Sequence, residues 1–326
     1  MTNSDERPSL KVALATYLGT KALKARAPDF GAFTIDFVEI APISRAFAPM
    51  VRELRFDICE MALVTYLQAR DHHKELVLLP VAVAQRFQEG SLLCRTDDAT
   101  IKSPADLAGK RVGVRAYSQT TGVWLRGILN DDFGVAPDNI RWVTFENAHV
   151  AEYSDPPFVS RAAEGQELVA MLKAGELDAI IAGNDRPDDR ALCGVFADPD
   201  AAGERFRAKH GFVPVNHMVV ARRSLIDRRP DLVAGFFEAL VRSLVAAKGS
   251  RTGLPLGRAA LQPAIDLAAR YAGEQRLLRR ALSPRAIWEG LPRSVIAIAE
   301  EGAACGVSRS SASARSGRSS RVTCTR

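Results

Sequence analysis

A recurring alternation of short, almost wholly apolar segments with amphipathic ones constrains this chain more than any other feature. KVALA (11–15), RFDIC (55–59), LVLLPVAVA (76–84) and DAIIA (178–182) each fit a strand, and FTIDFVEI (33–40) alternates with period two. Strands that are apolar on both faces must be covered on both faces, and the helical segments between them supply the cover. The order predicts an α/β fold with helices on both sides of a largely parallel sheet. LVLLPVAVA is expected to be a buried strand even though Pro80 has no N–H to give a central ladder.

The second half continues in this style. IRWVTF (140–145) and GFVPVNHMVV (211–220) read as strands, and 167–174 as a helix stopped by Gly175. Leu232, Val233, Phe236, Phe237, Leu240, Val241 and Leu244 form one helical stripe within 230–248. Further helices are expected from Pro263 and Pro284, and the last periodic segment spans 294–301. The stretches 148–165, with Pro156 and Pro157, and 186–190 read as loops over a cleft.

Residues 101–129 (IKSPADLAGKRVGVRAYSQTTGVWLRGIL) carry the clearest candidate site. Ser103 can cap a short helix starting at Pro104, and Gly109 ends it. Arg111 to Arg115 reads as a strand. Tyr117, Ser118, Gln119, Thr120 and Thr121 then form a turn rich in hydrogen-bonding side chains, followed by an amphipathic helix. A strand feeding such a turn into a helix N-terminus makes an anion pocket, because free backbone N–H groups point outward there. Arg115 sits at the C-terminal end of the strand, where open α/β sheets bind ligands.

Length and charge narrow the class. A chain of 326 residues is long enough for two domains. No apolar run reaches the roughly 18 residues a membrane helix needs, so no membrane insertion is expected. The N-terminal MTNSDERPSLKVALATYLG lacks the basic segment, apolar core and cleavage site of a secretory leader, which predicts a cytoplasmic location, or a periplasmic one if a leader has been removed. Cys59, Cys94, Cys193, Cys305 and Cys324 form neither a CxxC pair nor a Cys/His ligand pattern, as expected of reduced thiols. The net charge of +6 is mostly a tail property. Arg309, Arg315, Arg318, Arg321 and Arg326 lie in the acid-free segment 306–326, and without them about +1 remains. The body therefore gives no support for nucleic-acid binding. The Ser/Arg-rich tail, 306–326, is expected to be disordered because it has little apolar surface to bury.

In their order along the chain, KSPADLAGKRVGV and MLKAGELDAIIAG resemble the type 2 periplasmic-binding-protein fold. More narrowly, RFDICEMALVTYL, KSPADLAGKRVGVRAYSQTTGVWLRGIL and GFVPVNHMVVARR resemble the 4,5-dihydroxyphthalate decarboxylase family. The resemblance implies a two-lobed α/β fold with the ligand in a cleft between the lobes. Lobe one would take 1–96 and 212–305, and lobe two 97–211. It also implies an enzyme that releases CO2 from a small hydroxylated aromatic dicarboxylate. The alternative on the same fold is a non-catalytic solute-binding protein for a small aromatic or carboxylate anion, such as a transporter receptor or a sensor.

An aromatic dicarboxylate needs cations and N–H donors, so Arg115 is the first expected anchor, with Tyr117 to Thr121 around it and Arg86 and Arg45 as second choices. Asn216 joins the ligand-binding set. Decarboxylation of a ring bearing a para-hydroxyl needs no organic cofactor, only a proton donor and a base for the phenol. His217 fits one role because histidine titrates near neutral pH. Glu60, read as opening a helix at Glu60-Met61-Ala62, fits the other. The residue types leave open whether His217 is merely a buried histidine bonded to Asn216, and whether Glu60 only complements a helix dipole. No His/Asp/Glu cluster has metal-ligand spacing, so neither cofactor nor metal is expected. His72 and His73 read as a surface pair. Whether the chain is a homo-oligomer is left open.

Overall fold

Two sheets account for the apolar segments. The computed structural model describes residues 7–25, 33–183, 186–247 and 253–313, with 305–313 described by backbone alone. The first sheet contains β1 (Ser9–Ala13), β2 (Thr34–Phe37), β3 (Ile58–Ala62), β4 (Leu76–Gln85) and β11 (Val215–Arg222), in the order β2-β1-β3-β11-β4. The second contains β5 (Leu92–Arg95), β6 (Arg111–Val114), β7 (Arg141–Thr144), β8 (Val159–Arg161), β9 (Ala179–Ile181) and β10 (Leu192–Gly194), in the order β10-β5-β9-β6-β7-β8. The α-helices are α1 (Leu18–Ala25), α2 (Phe47–Glu53), α3 (Leu63–Asp71), α4 (Thr120–Phe133), α5 (Leu168–Lys173) and α6 (Pro199–His210). They continue with α7 (Arg223–Arg228), α8 (Pro230–Ala246), α9 (Arg258–Glu274), α10 (Pro284–Ile287) and α11 (Arg293–Ser313). None of the described helices is long and apolar enough to cross a membrane.

The sheets are mixed rather than largely parallel. β11 runs antiparallel to both β3 and β4, and β5 runs antiparallel to both β9 and β10. Both exceptions fall where the chain passes between the sheets, so strand direction there is set by the crossing and not by a βαβ repeat. The crossing into the second sheet lies between β4 and β5. Residues 92–95, assigned to lobe one by the sequence, pair within the second sheet. Likewise 148–165 is not all loop, since β8 adds a parallel strand beside β7.

Pro80 is tolerated because β4 is the last strand of its sheet. Its outer edge is covered: Ala82 N–H donates to Pro255 O at 3.2 Å, and Gly257 N–H to Pro80 O at 2.9 Å. The expected helix start at Glu60 is a strand instead. Glu60 pairs with Val219 and Met61 with Met218 across β3 and β11, and the helix begins only at Leu63. A buried antiparallel partner outweighs the helix propensity of Glu-Met-Ala. At the other end, α11 continues through Ser313, into the segment expected to be disordered. Propagating an existing helix through Ala, Ser and Arg needs no new nucleus. The tail residues 314–326 and the first six residues lie outside the described residues.

One apolar core runs through both lobes. Leu63, Val64 and Leu67 of α3, Trp124 and Leu125 of α4, and Leu261, Ile265 and Tyr271 of α9 belong to it. Gly127 lets α4 and α9 approach: a Cβ there would lie 2.2 Å from Cδ2 of Tyr271. A second core under the first sheet takes the α8 stripe of Leu232, Val233, Phe236, Phe237, Leu240 and Val241, as the spacing predicts.

Candidate active site in the interlobe cleft

Two helix N-termini meet between the lobes. α3 begins after Ala62 and α4 after Gln119, and neither has a side-chain cap bond. First-turn N–H groups have no partner inside a helix and sit at the positive end of its dipole. Val64 N–H of α3 donates to Thr120 Oγ1 of α4 at 3.2 Å, tying the two ends together. They border a cavity of about 560 Å3.

Eight of the sequence-predicted site residues line that cavity: Arg86, Arg115, Ser118, Gln119, Thr120, Thr121, Asn216 and His217. Arg115 Nη1 donates to Ser44 Oγ at 3.1 Å across the cleft, and its Nε lies 3.4 Å from the Glu146 carboxylate. Arg86 Nη2 donates to Thr121 Oγ1 at 2.9 Å, which places a guanidinium beside the N-terminus of α4. Asn216 is held by Gln88, whose Nε2 donates to Asn216 Oδ1 at 2.9 Å. Asn216 and His217 are adjacent yet both face the cavity. The pairing of β11 with β4 shifts register between Val215 and Val219, and such irregularities re-aim side chains.

The structure withdraws two predicted residues from the cavity wall. Tyr117 is fully buried, with the Arg126 guanidinium 3.9 Å from its ring centroid, and its backbone carbonyl accepts from Arg126 Nη2. Tyr117 packs inward at the start of the turn, while Ser118 to Thr121 face the cavity. Glu60 is likewise fully buried and off the lining. Arg45 also lies off the lining and donates to Ala41 O at 3.3 Å. His72 and His73 stand at the end of α3, away from the site.

Glu60 nevertheless touches the site through His217. The two sit diagonally across β3 and β11, because His217 pairs with Ala62 and Val219 with Glu60. Glu60 Oε1 lies 2.7 Å from His217 Nδ1 and accepts from Tyr17 Oη at 2.7 Å, while Oε2 accepts from Ala15 N–H at 3.0 Å. Burial and the neighbouring Glu60 carboxylate push the Tyr17 phenol well above its ordinary range, so it remains a donor. The carboxylate fixes Nδ1 as the protonated nitrogen and leaves Nε2 of His217 as an acceptor on the cavity side.

Sequence reasoning missed a second histidine. His149 lines the cavity from the loop after β7, with Nδ1 at 2.8 Å from Thr65 Oγ1 of α3. Its backbone carbonyl and that of Ala148 accept from Arg52 of α2, both at 2.8 Å. Phe47 stands edge-on to both imidazoles, its ring centroid 5.5 Å from His149 and 5.2 Å from His217. Desolvation, then the Arg115, Arg52 and His217 charges, lower the His149 pKa to about 4. No local pattern marks a histidine in an irregular loop. Tyr17 could have been found only by knowing that β1 lies beside β3. Among the described residues, no group of three or more His, Cys, Asp or Glu is placed to hold a metal ion.

The two sheets and the cleft between them define the class: this is a two-lobed fold of the periplasmic-binding-protein type. The periplasmic sulfonate-binding protein of Methylobacillus flagellatus KT superposes with a TM-score of 0.54 at 12% identity, covering 91% of this chain and 96% of that one. The desulfurization enzyme DszB, solved with biphenyl-2-sulfinic acid, superposes with a TM-score of 0.56 at 15% identity, covering 90% of this chain and 99% of that one. Both share the fold alone.

In sequence the chain is similar over part of its length to two curated 4,5-dihydroxyphthalate decarboxylases. It is 30% identical to 4,5-dihydroxyphthalate decarboxylase of Comamonas testosteroni over 215 residues, 60% of this chain and 63% of the relative. It is 34% identical to the Pseudomonas putida protein of the same name over 138 residues, 40% of this chain and 53% of the relative. Each match spans less than two thirds of the relative's length. No family model matches the chain.

Proposed function

We propose that this protein is a carboxy-lyase converting 4,5-dihydroxyphthalate into protocatechuate and CO2. The observation that carries the reading is the buried Glu60 carboxylate behind His217, in a cavity that also holds two arginines and an uncapped helix N-terminus. Retaining a small anion needs only the arginines and the N–H groups. A carboxylate-backed imidazole adds a means of moving a proton.

In this reading Arg115, Arg86 and the first turn of α4 hold the ring carboxylates, with Ser118 to Thr121 and Asn216 shaping the pocket. His217 Nε2 takes the proton of the hydroxyl para to the departing carboxylate, and Glu60 stabilises the imidazolium that forms. The phenolate pushes electron density onto the carboxylate-bearing ring carbon, which takes up one proton. The bond to the carboxylate then breaks, its electron pair restores the aromatic ring, and CO2 leaves. His217 returns its proton to the phenolate. The net change is one proton from water in and one CO2 out. Glu60 acts as a positioning residue, since it touches His217 and not the cavity.

The test is incubation of the purified protein with 4,5-dihydroxyphthalate while CO2 release is followed. Turnover is expected, and His217→Ala should abolish it while ligand binding persists. Tight binding without turnover would refute the enzyme reading and leave a solute receptor. Full activity in His217→Ala would refute the proton role.

A further inference from the structure

Two histidines face the cavity, and their partners set them to opposite polarity. Glu60 accepts from Nδ1 of His217, so Nε2 of that ring is a lone-pair acceptor. His149 is arranged the other way. Thr65 Oγ1 lies 2.8 Å from His149 Nδ1 and makes no other hydrogen bond among the described residues, so donation to Nδ1 is the arrangement that gives its single proton a protein partner. The ring proton of His149 then sits on Nε2, which has no protein partner among the described residues. An acceptor and a donor therefore flank Phe47 on one cavity wall.

We propose that His149 is a substrate-binding residue whose Nε2–H donates to a ring hydroxyl oxygen, so that the two histidines together select a ring with two neighbouring hydroxyls. One hydroxyl gives its proton to His217, and the adjacent oxygen accepts from His149. This rests on the decarboxylase reading and extends it to the choice of substrate: a catechol rather than a plain aromatic dicarboxylate. His149 keeps the same role through turnover. The charged groups around it are Arg52 of α2, Arg115 after β6, Glu146 paired with Arg115, and His217 of β11 once it has taken the substrate proton. The cations among them disfavour a charged imidazole at this position, which suits a fixed donor and not a proton shuttle.

Binding can be separated from turnover in His217→Ala protein, titrated calorimetrically with 4,5-dihydroxyphthalate and with phthalate, which has the carboxylates but no hydroxyls. The dihydroxy compound should bind tighter by about tenfold, the worth of one well-made hydrogen bond. Adding His149→Leu should erase that ratio, and adding His149→Gln, which keeps an N–H donor, should retain most of it. Equal weakening of both ligands by His149→Leu would overturn the proposal, since the residue would then serve the anion or the fold. An unchanged ratio in His149→Leu, or a glutamine variant as poor as leucine, would overturn it too. In the turnover assay, His149→Gln should leave the acid limb of the kcat/KM profile in place, and a displaced limb would show a titrating role. Absence of CO2 from wild-type protein would refute the decarboxylase reading alone, because the affinity ratio is measured without turnover.

Discussion

Glu60→Gln is the most discriminating single substitution. The carboxylate is surrounded only by donors: Tyr17 O–H and His217 Nδ1–H at 2.7 Å on Oε1, and Ala15 N–H at 3.0 Å on Oε2. An amide must put its NH2 group where one of those oxygens was. Placed at Oε2, it confronts Ala15 N–H, and His217 keeps its tautomer but loses the facing charge. A hydrogen bond to a charged group contributes about 1.5–3 kcal/mol, so that orientation lowers kcat by about 10- to 100-fold. Placed at Oε1, the NH2 forces the proton of His217 onto Nε2 and removes the base altogether. A carboxylate-to-amide change of this kind costs about 10⁴ in a serine protease triad. We therefore expect kcat to fall by about 10- to 10⁴-fold, depending on which orientation the amide takes, with the dissociation constant changed little, because Glu60 does not line the cavity. The unmatched buried donor should also destabilise the fold by about 1–3 kcal/mol. Steady-state CO2 release gives kcat, calorimetry gives binding, and urea unfolding gives stability. A variant that binds normally and keeps kcat within about threefold of wild type would refute the claim that Glu60 sets the state of His217.

Tyr17→Phe removes one donor to Glu60 and should lower stability by about 1 kcal/mol while leaving substantial turnover, which the same assays check. The histidine at 149 should make the fold acid-sensitive. Its pKa is about 4 in the folded chain against 6.5 unperturbed, so between those values the unfolded state binds more protons and stability falls as pH falls. The loss reaches at most about 3 kcal/mol, and the drop in urea midpoint from pH 7 to pH 4.5 should be smaller in His149→Gln. Gly127→Ala drives a methyl group into Tyr271 and should cost about 1–3 kcal/mol, read as a lowered Tm; an unchanged Tm would mean that α4 and α9 can slide apart. Arg115→Lys should weaken dicarboxylate binding by about tenfold and Arg115→Ala by more, because an ammonium cannot bind a carboxylate bidentately.

What the sequence revealed follows from how local each signal is. The apolar runs and the α8 stripe marked strands and a helix because burial leaves a periodic trace within a few residues. Residues 115–121 showed as a candidate site for the same reason: strand, polar turn and helix are contiguous. The relation between Glu60 and His217 has no local trace, since it depends on β3 and β11 pairing across 157 residues. The same pairing turned an expected helix start into a strand. Tyr117 was misplaced because a polar turn does not say which of its side chains faces inward, and the buried Arg126 that claims its ring lies nine residues on. His149 was invisible because only tertiary contacts with Thr65, Phe47 and Arg52 give it a role.

The shared core beneath the cleft limits how a small ligand can come and go. α9 packs on α3 and α4 together, so swinging the lobes apart would expose Trp124 and Tyr271 to water and break the Val64–Thr120 bond. Burying each such aromatic is worth about 2 kcal/mol or more, which makes a wide hinge motion expensive. At the rim, the loop bearing His149 is fastened to α2 by two hydrogen bonds from the exposed guanidinium of Arg52. Release of that contact alone would not free the imidazole, because Thr65 of α3 still holds Nδ1 of His149 and the Lys74–Glu152 ion pair ties the same loop to the end of α3, so this wall of the cleft is held from two helices at once.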